Sequence, residues 1–390
     1  MPLVRRFAPV LVLALLVSLA FASGAAAAKR SVPHGFMGVV VNEPLSKSGA
    51  LFDSESRKMV AAGVESVRVP FDWRLMQPFR SPDAVPADRR SEFRTERGVP
   101  TRWAHSDRAV RIAARRGLRL LPVVVTSPAW AARRDHLASP PEGTATYAAF
   151  VGTLVERYGP NGTFWRENPS LRRAPLREWQ IWNEPTHPGF WSDQPWVEDY
   201  VALARAARAE VRRLDPRGRT IAAGFVGPSW ESLEAMMKVP GAKTAFDAVA
   251  IHPYTRNILG VLDMLRLCRQ ALDRAGLKRM PMYATEVTWP SSKGRAERFG
   301  FEMTEAEQAR QLKGGIRVLA RERRWLRLTR VYWFTWLTHD ESTVDPFDYS
   351  GLRKLMPSGA VRTKPAFTSY LTVARSLEGC RKGALATRCR

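Results

Sequence analysis

The chain of 390 residues carries a formal charge of +24, is 45% hydrophobic and contains three cysteines. The apolar and aromatic content can build a sizeable core, which excludes an intrinsically disordered chain, and three cysteines are too few for a disulfide-stapled scaffold. The length exceeds that of a typical domain, but α/β barrels of this size form one unit.

The first predicted element is an export signal over residues 1–28. The basic pair Arg5 and Arg6 precedes an apolar run from Phe7 to Ala22, and small residues follow. This order is typical of a signal peptide, so we expect cleavage near Ala28 and a secreted or extracellular protein. The alternative is an uncleaved anchor helix, although the run is shorter than the ~20 apolar residues that span a bilayer. We expect no membrane span after cleavage.

From residue 34 the chain alternates β-type runs with amphipathic helical runs, which is the pattern of parallel strands covered by helices. The predicted strands are 36–42, 66–71, 119–125, 178–184, 220–225, 247–254, 282–287 and 330–336. The predicted helices are 107–117, 146–159, 197–214, 257–276, 304–322 and 364–377. This alternation predicts an α/β fold, a single-domain (β/α)8 TIM barrel over 34–378, followed by a tail over 379–390.

Two carboxylates lie at the ends of predicted strands on opposite sides of the barrel rim. Glu184 is in the motif IWNEP and Glu286 in the motif YATEVTWP. Active sites of (β/α)8 barrels lie at the carboxyl ends of the strands, so the two side chains are expected to face each other. Cleavage of a glycosidic bond needs an acid for the leaving oxygen and a carboxylate for the oxocarbenium-like carbon. A single glutamate at a strand end is more often a cap or an ion-pair partner, so the prediction rests on the two motifs together.

The two motifs resemble the signatures of the clan A glycoside hydrolases and are nearest to the family 39 and family 5 types. The resemblance implies that Glu184 is the acid/base and Glu286 the nucleophile, with net retention through a glycosyl-enzyme. It also implies that Asn183 binds the sugar 2-hydroxyl.

Two further strand ends are similar to the clan pattern. SVRVPFDW resembles the segment whose arginine, here Arg68, sits beneath the carboxylates, and IHPYT resembles the pair in which His252 lines the sugar site and Tyr254 hydrogen-bonds the nucleophile. A guanidinium stays charged, so Arg68 would keep Glu286 ionised. We expect the charge of Glu286 to raise the pKa of Glu184 in turn.

Tryptophans are the candidate sugar platforms. FTWLTHD, at the end of the eighth predicted strand, is similar to the clan segment that carries the platform under the cleaved sugar, which implies this role for Trp336. We expect Trp289 to contact the sugar as well. Tryptophans in strands are usually part of the core, which is the alternative for both.

The positive charge clusters in 111–119, 211–219 and 321–330, within or just after helical patterns. Solvated helix faces explain such clusters most simply; association with an anionic polymer or the cell surface is the alternative. The chain has no recognised nucleic-acid module, so we expect no nucleic-acid partner. The remaining histidines show no metal-ligand spacing, and we predict neither a metal nor a cofactor.

The sequence thus predicts a secreted retaining glycosidase acting on β-linked oligo- or polysaccharides. The alternative is a non-catalytic glycan-binding barrel at the cell surface, which would be expected to lack one carboxylate, whereas both are present. Cys268 falls on an apolar helical face and is predicted to be buried. Cys380 and Cys389 could close a short loop, since an exported protein meets an oxidising environment.

Overall fold

The computed structural model describes residues 30–379 and 385–386. The predicted export signal lies outside the described residues, and so do Cys380 and Cys389. Cys268 is buried on a helix, as predicted.

Eight parallel strands close into a barrel in sequential order, which confirms the predicted (β/α)8 fold. The strands are β1 (Met37–Val40), β2 (Ser66–Asp72), β3 (Arg119–Val125), β4 (Glu178–Ile181), β5 (Arg219–Phe225), β6 (Ala248–Ile251), β7 (Met282–Val287) and β8 (Leu328–Trp333). The ring is completed by β8, which pairs with β1 from Met37 opposite Val331 to Val39 opposite Trp333. Because all strands run the same way, their carboxyl ends meet at one rim.

In the described part of the chain, eight helices of 10 residues or more cover the outside of the barrel. They are α1 (Gly49–Ala61), α2 (Ala104–Arg116), α3 (Thr144–Tyr158), α4 (Val197–Leu214), α5 (Ser229–Lys238), α6 (Ile258–Arg274), α7 (Glu305–Leu326) and α8 (Pro365–Glu378). Local signals set several boundaries: Thr304 and Glu307 form a reciprocal capping box at the start of α7, and Gly117 ends α2 with a φ of 67° that favours glycine.

Two helices, α1 and α5, were not predicted. The apolar periodicity of α1 is interrupted because its buried face includes Glu55. That carboxylate is buried in an ion pair of 2.7 Å with Arg353, a tertiary contact that a helical pattern cannot reveal. Helix α5 has only 10 residues and follows Pro228 directly.

The core has two layers. A small cluster fills the barrel interior, with Val40, Leu121, Ile221, Ala248, Ala250, Tyr283 and Tyr332. A much larger cluster lies between the strands and the helices. Polar and charged side chains replace this apolar layer at both ends of the barrel. Binding sites are therefore expected at these two ends.

Loops at the carboxyl rim carry the remaining ordered structure. A hairpin of Arg94–Glu96 and Val99–Thr101 lies in the loop after β2, and a three-stranded sheet of Leu337–Thr338, Arg353–Leu355 and Val361–Thr363 forms after β8. Within the described ranges, the helices are all too short or too polar to cross a lipid bilayer.

Candidate active site

A cleft at the carboxyl rim consists of two adjoining cavities of about 540 and 720 Å³. The smaller cavity lies over the barrel axis and contains Arg68, Asn183, Glu184, Tyr254 and Glu286. The larger one lies over β8, β1 and β2. Both include Asn42, Pro70, Phe334, Asp345 and Phe347, so they form one continuous cleft.

Glu286, the last residue but one of β7, is held as a carboxylate by two donors. The Arg68 Nη1 atom lies 2.6 Å from Oε1, and the Tyr254 hydroxyl donates to Oε2. Burial, followed by the charges of Glu286 and Glu184, raises the pKa of Tyr254 well above its ordinary value, so its proton stays on the phenol. Glu286 is therefore a buried carboxylate with both oxygens oriented by hydrogen bonds.

Arg68 joins three strands through one guanidinium group. Besides Glu286 on β7, it donates from Nε to Gln180 Oε1 on β4 at 2.7 Å and from Nη2 to Asn183 Oδ1 at 2.7 Å. These contacts orient Asn183 into the cleft. The structure thus brings Arg68, Asn183, Tyr254 and Glu286 together, at the positions that the sequence indicates; Gln180 was not predicted.

Glu184, just past the end of β4, is a buried carboxyl group of raised proton affinity. Burial raises the pKa of Glu184 to about 7, although Arg68 and His187 oppose the shift. The prediction that the charge of Glu286 causes this shift is wrong, because the cause is loss of hydration. A group with this pKa can hold and give up a proton near neutral pH.

His252 connects the two glutamates. Its Nδ1 atom lies 2.5 Å from Glu184 Oε1, and its Nε2 atom lies 3.0 Å from Thr285 Oγ1 and 3.7 Å from Glu286 Oε1. Burial lowers the pKa of His252 to about 4, so the imidazole is neutral at pH 7. A neutral ring can accept the Glu184 proton at Nδ1 while donating from Nε2 to Thr285, and the other tautomer can donate to ionised Glu184.

Unusual backbone conformations surround the acid. Trp182 has a φ of 66° and Glu184 a φ of 42°, in the left-handed region that residues other than glycine rarely adopt. These conformations end β4 at Ile181, three residues before the predicted end. Such strain clusters at functional sites, and here it turns Asn183 and Glu184 into the cleft.

Gly224 on β5 makes room for His252. A Cβ atom at this position would lie 1.9 Å from His252 Nε2, so a side chain larger than hydrogen cannot fit unless the imidazole moves. No sequence pattern marks Gly224, because the clash involves residues on two neighbouring strands.

Donor atoms of Glu184, His252 and Glu286 lie within 4.8 Å of one another, a spacing that could hold a metal ion. Both oxygens of Glu286 already accept hydrogen bonds, however, and the charge of Arg68 at 2.6 Å opposes a cation. The donor set fits proton transfer better than metal ligation.

The two predicted tryptophan platforms are core residues and do not line the cleft. Trp336 is 0% exposed, donates to Glu55 on α1 at 2.9 Å and packs against Phe367. Trp289 is 1% exposed and donates to the Thr255 carbonyl. With no free ring face, neither indole can stack on a sugar.

Phe334, rather than the predicted Trp336, is the aromatic residue after β8 that lines the cleft. Strand β8 ends at Trp333, three residues earlier than predicted, so Phe334 is the first residue beyond the strand and lines both cavities. Irregular pairing of β8 with β7 between Val331 and Trp333 shifts the register. The motif FTW contains both aromatic residues, and the end of the strand determines which of them faces the cleft.

Further aromatic side chains form a wall beside Glu286, with contacts that the sequence could not indicate. Phe299 and Phe301 come from the loop after β7 and Phe347 from the loop after β8, and their ring centroids lie 5.4–6.3 Å apart. Tyr254 packs against Phe347 at 5.0 Å. Phe299 remains 43% exposed at the rim.

No family model matches the sequence, and no curated protein matches it. Solved structures with the same fold include a GH39 β-xylosidase from Caulobacter crescentus, at 18% identity and a TM-score of 0.59 over 88% of this chain and 72% of that chain. A glucosidase from Croceicoccus marinus has 15% identity and a TM-score of 0.64 over 90% and 70%. A GH5_18 structure from Streptomyces cattleya, in complex with Manb1-4GlcNAc, has 18% identity and a TM-score of 0.58 over 84% and 75%. At these identities the likeness establishes the shared (β/α)8 fold.

Proposed function

We propose that this chain is a secreted, retaining glycoside hydrolase that cleaves β-linked oligo- or polysaccharides. One observation carries the proposal: a buried carboxyl group of pKa about 7, Glu184, faces an ion-paired carboxylate, Glu286, at the rim of a barrel. The xylosidase and glucosidase names of structures with this fold support the same class of reaction.

The unequal environments of the two glutamates assign their roles. Glu184 enters the reaction protonated and gives its proton to the leaving oxygen, while anionic Glu286 attacks the anomeric carbon and forms a glycosyl-enzyme. Once Glu286 is esterified, Glu184 is ionised and takes a proton from the incoming water. The imidazole of His252 lies within hydrogen-bond reach of Glu184 and can accept from the acid or donate to the base.

The spacing supports retention of configuration. Oxygen atoms of Glu184 and Glu286 lie within 4.8 Å of each other. Retaining enzymes hold their carboxyl groups ~5–5.5 Å apart, whereas inverting enzymes leave ~6.5–9.5 Å for a water molecule. The side chain of Asn183, oriented by Arg68, is the proposed ligand of the sugar 2-hydroxyl.

The cleft suggests how a substrate lies. Since Glu184 on the β4 side protonates the leaving oxygen, the leaving group extends toward β4 and the retained sugar toward β8, β1 and β2. Phe334 is the proposed platform under that sugar. The second cavity of about 720 Å³ continues in the same direction and falls in the ~300–1,000 Å³ range of ligand sites, which supports a substrate longer than one sugar.

Turnover of aryl β-glycosides and β-linked polysaccharides by the purified chain, beside Glu286→Gln, tests the proposal. We expect activity in the wild type, its loss in the variant, and a β-configured first product by NMR. An α-configured first product would overturn retention, and glycan binding without turnover would support the non-catalytic alternative. Export rests on residues 1–28, and a mature N-terminus near Lys29 in the secreted protein is its test.

A further inference from the structure

The opposite end of the barrel has a cavity of its own, of about 390 Å³. It lies where the strands begin, so the full length of the barrel separates it from Glu184 and Glu286. Arginine side chains surround it. They are Arg119, Arg172, Arg173, Arg177, Arg217 and Arg219.

The fold, rather than one sequence cluster, assembles this cavity. Arg119 and Arg219 are the first residues of β3 and β5, while the other four belong to the loops that precede β4 and β5. Three of the arginines, Arg172, Arg173 and Arg217, are exposed. Neighbouring parallel strands bring them to one edge although they lie up to 100 residues apart in the chain.

Among the described residues that line the cavity, arginines outnumber acidic side chains by six to one. Glu178 accepts from Arg219 at 3.0 Å and lies 3.6 Å from Arg330, and Asp215 accepts from Arg177 at 3.0 Å. Arg330, which lies behind Glu178, adds a further guanidinium group to this end of the barrel. Burial lowers the pKa of Arg119 and the charge of Arg330 lowers it further, while Glu178 and Glu65 oppose the shift.

Helix dipoles explain only part of the positive charge at this end. Every long helix has a basic residue in its last turn, where a cation is stabilised by the helix dipole. These residues are Lys58, Arg115, Arg116, Arg157, Arg212, Arg213, Lys238, Arg274, Arg323, Arg324 and Arg375. The arginines of the cavity lie outside the helices, so this stabilisation does not account for them.

We propose that this cavity binds the carboxylate, sulfate or phosphate groups of an acidic polysaccharide. Guanidinium groups bind such oxyanions through paired hydrogen bonds. The concave shape suits a polymer segment better than a flat bilayer. Of the described residues that line the cavity, none is Phe, Tyr or Trp, so it lacks the stacking platforms that single-stranded nucleic acids use.

Binding here would hold the protein on an anionic matrix with its catalytic cleft pointing away. The choice of a glycan as ligand rests in part on the proposed function. The proposal that the cavity binds oxyanions does not rest on the proposed function, because binding can be measured without turnover.

Binding of labelled polygalacturonate and dextran sulfate to the full mature chain tests the proposal, with neutral dextran as a blank. The variant Arg172→Gln/Arg173→Gln/Arg217→Gln should weaken binding about tenfold or more, and salt should weaken wild-type binding. Turnover should be unchanged, and circular dichroism and the melting temperature report whether the variant folds. Polygalacturonate and dextran sulfate distinguish carboxylate from sulfate recognition.

The matched control removes three exposed arginines from loops at the catalytic end: Arg80→Gln/Arg90→Gln/Arg256→Gln. It changes the net charge equally and should alter affinity less than about twofold. Equal losses in the two triple variants would overturn the proposal in favour of diffuse surface charge. Tighter binding to phosphatidylglycerol vesicles or single-stranded DNA than to either polysaccharide would also overturn it.

Discussion

Arg68 and Glu286 form a buried ion pair across the barrel, with Nη1 2.6 Å from Oε1, although they are 218 residues apart in the chain. Their side chains are only 4% and 9% exposed, so water screens their interaction weakly. Removing one partner would leave the other buried and uncompensated, which typically costs ~3–5 kcal/mol. The pair therefore supports the barrel interior and also orients the carboxylate of Glu286.

The variant Arg68→Lys should show how much catalysis depends on the positive charge of Arg68 and how much on its three contacts. Lysine keeps the positive charge but cannot contact Glu286, Gln180 and Asn183 together. We expect kcat to fall roughly 100-fold, the scale on which one precisely placed donor matters in an active site. The control for an arginine-to-lysine exchange is Arg134→Lys, since Arg134 is exposed at the rim and pairs with Asp193. An Arg68→Lys enzyme with wild-type kcat would contradict the assigned role.

The pH profile should report the proton on Glu184. With a pKa of about 7, Glu184 is protonated below neutrality and loses its acid form as the pH rises. We expect kcat/KM to fall about tenfold per pH unit above about pH 8. In Glu184→Gln, measured on an aryl glycoside whose leaving group needs no protonation, this alkaline fall should disappear. If it persists unchanged, another group titrates.

Azide should distinguish the two glutamates. Glu286→Ala removes the nucleophile, and azide entering that space should restore turnover as a glycosyl azide of inverted configuration. Glu184→Ala should still form the glycosyl-enzyme from substrates with good leaving groups, and azide should then give a product of retained configuration. NMR of the two products checks the assignment, and the reverse pattern would exchange the roles.

Gly224→Ala should impair catalysis through His252. The new Cβ atom would lie 1.9 Å from His252 Nε2, so the imidazole must move away from Glu184 and Thr285. We expect kcat to fall and the alkaline limb of the pH profile to shift, a change that a purely structural defect would not produce. Gly314→Ala on α7, where a Cβ atom meets nothing within 4 Å, should keep full activity and raise stability by about 0.5–1 kcal/mol.

Phe334 and Trp336 should give opposite results. Phe334→Ala removes a cleft-lining ring and should raise KM with little change in melting temperature. Trp336→Phe removes the indole donor to Glu55 and should lower the melting temperature, while KM stays near the wild-type value. Thermal unfolding beside steady-state kinetics checks both. A raised KM without destabilisation in Trp336→Phe would restore the original assignment of the platform to Trp336.

The amino-acid sequence alone determined the barrel and the positions of its two glutamates. Strand and helix periods are local properties, and the motifs around Glu184 and Glu286 extend over a few residues at predicted strand ends. Residues within or just after the strands that carry these motifs, such as Arg68, His252 and Tyr254, were therefore found at the positions the sequence indicates.

Only the tertiary structure decided which aromatic ring faces the cleft, what raises the pKa of Glu184 and where the positive charge collects. The aromatic ring that faces the cleft depends on the end of β8 at Trp333, and the pairing of β8 with β7 sets that end. The raised pKa of Glu184 depends on its burial by segments that are far apart in the chain. The place where the positive charge collects depends on the closure of the barrel, since parallel strands bring Arg119, Arg173 and Arg219 to one end of the molecule. Such distances arise from packing, and no local pattern encodes them.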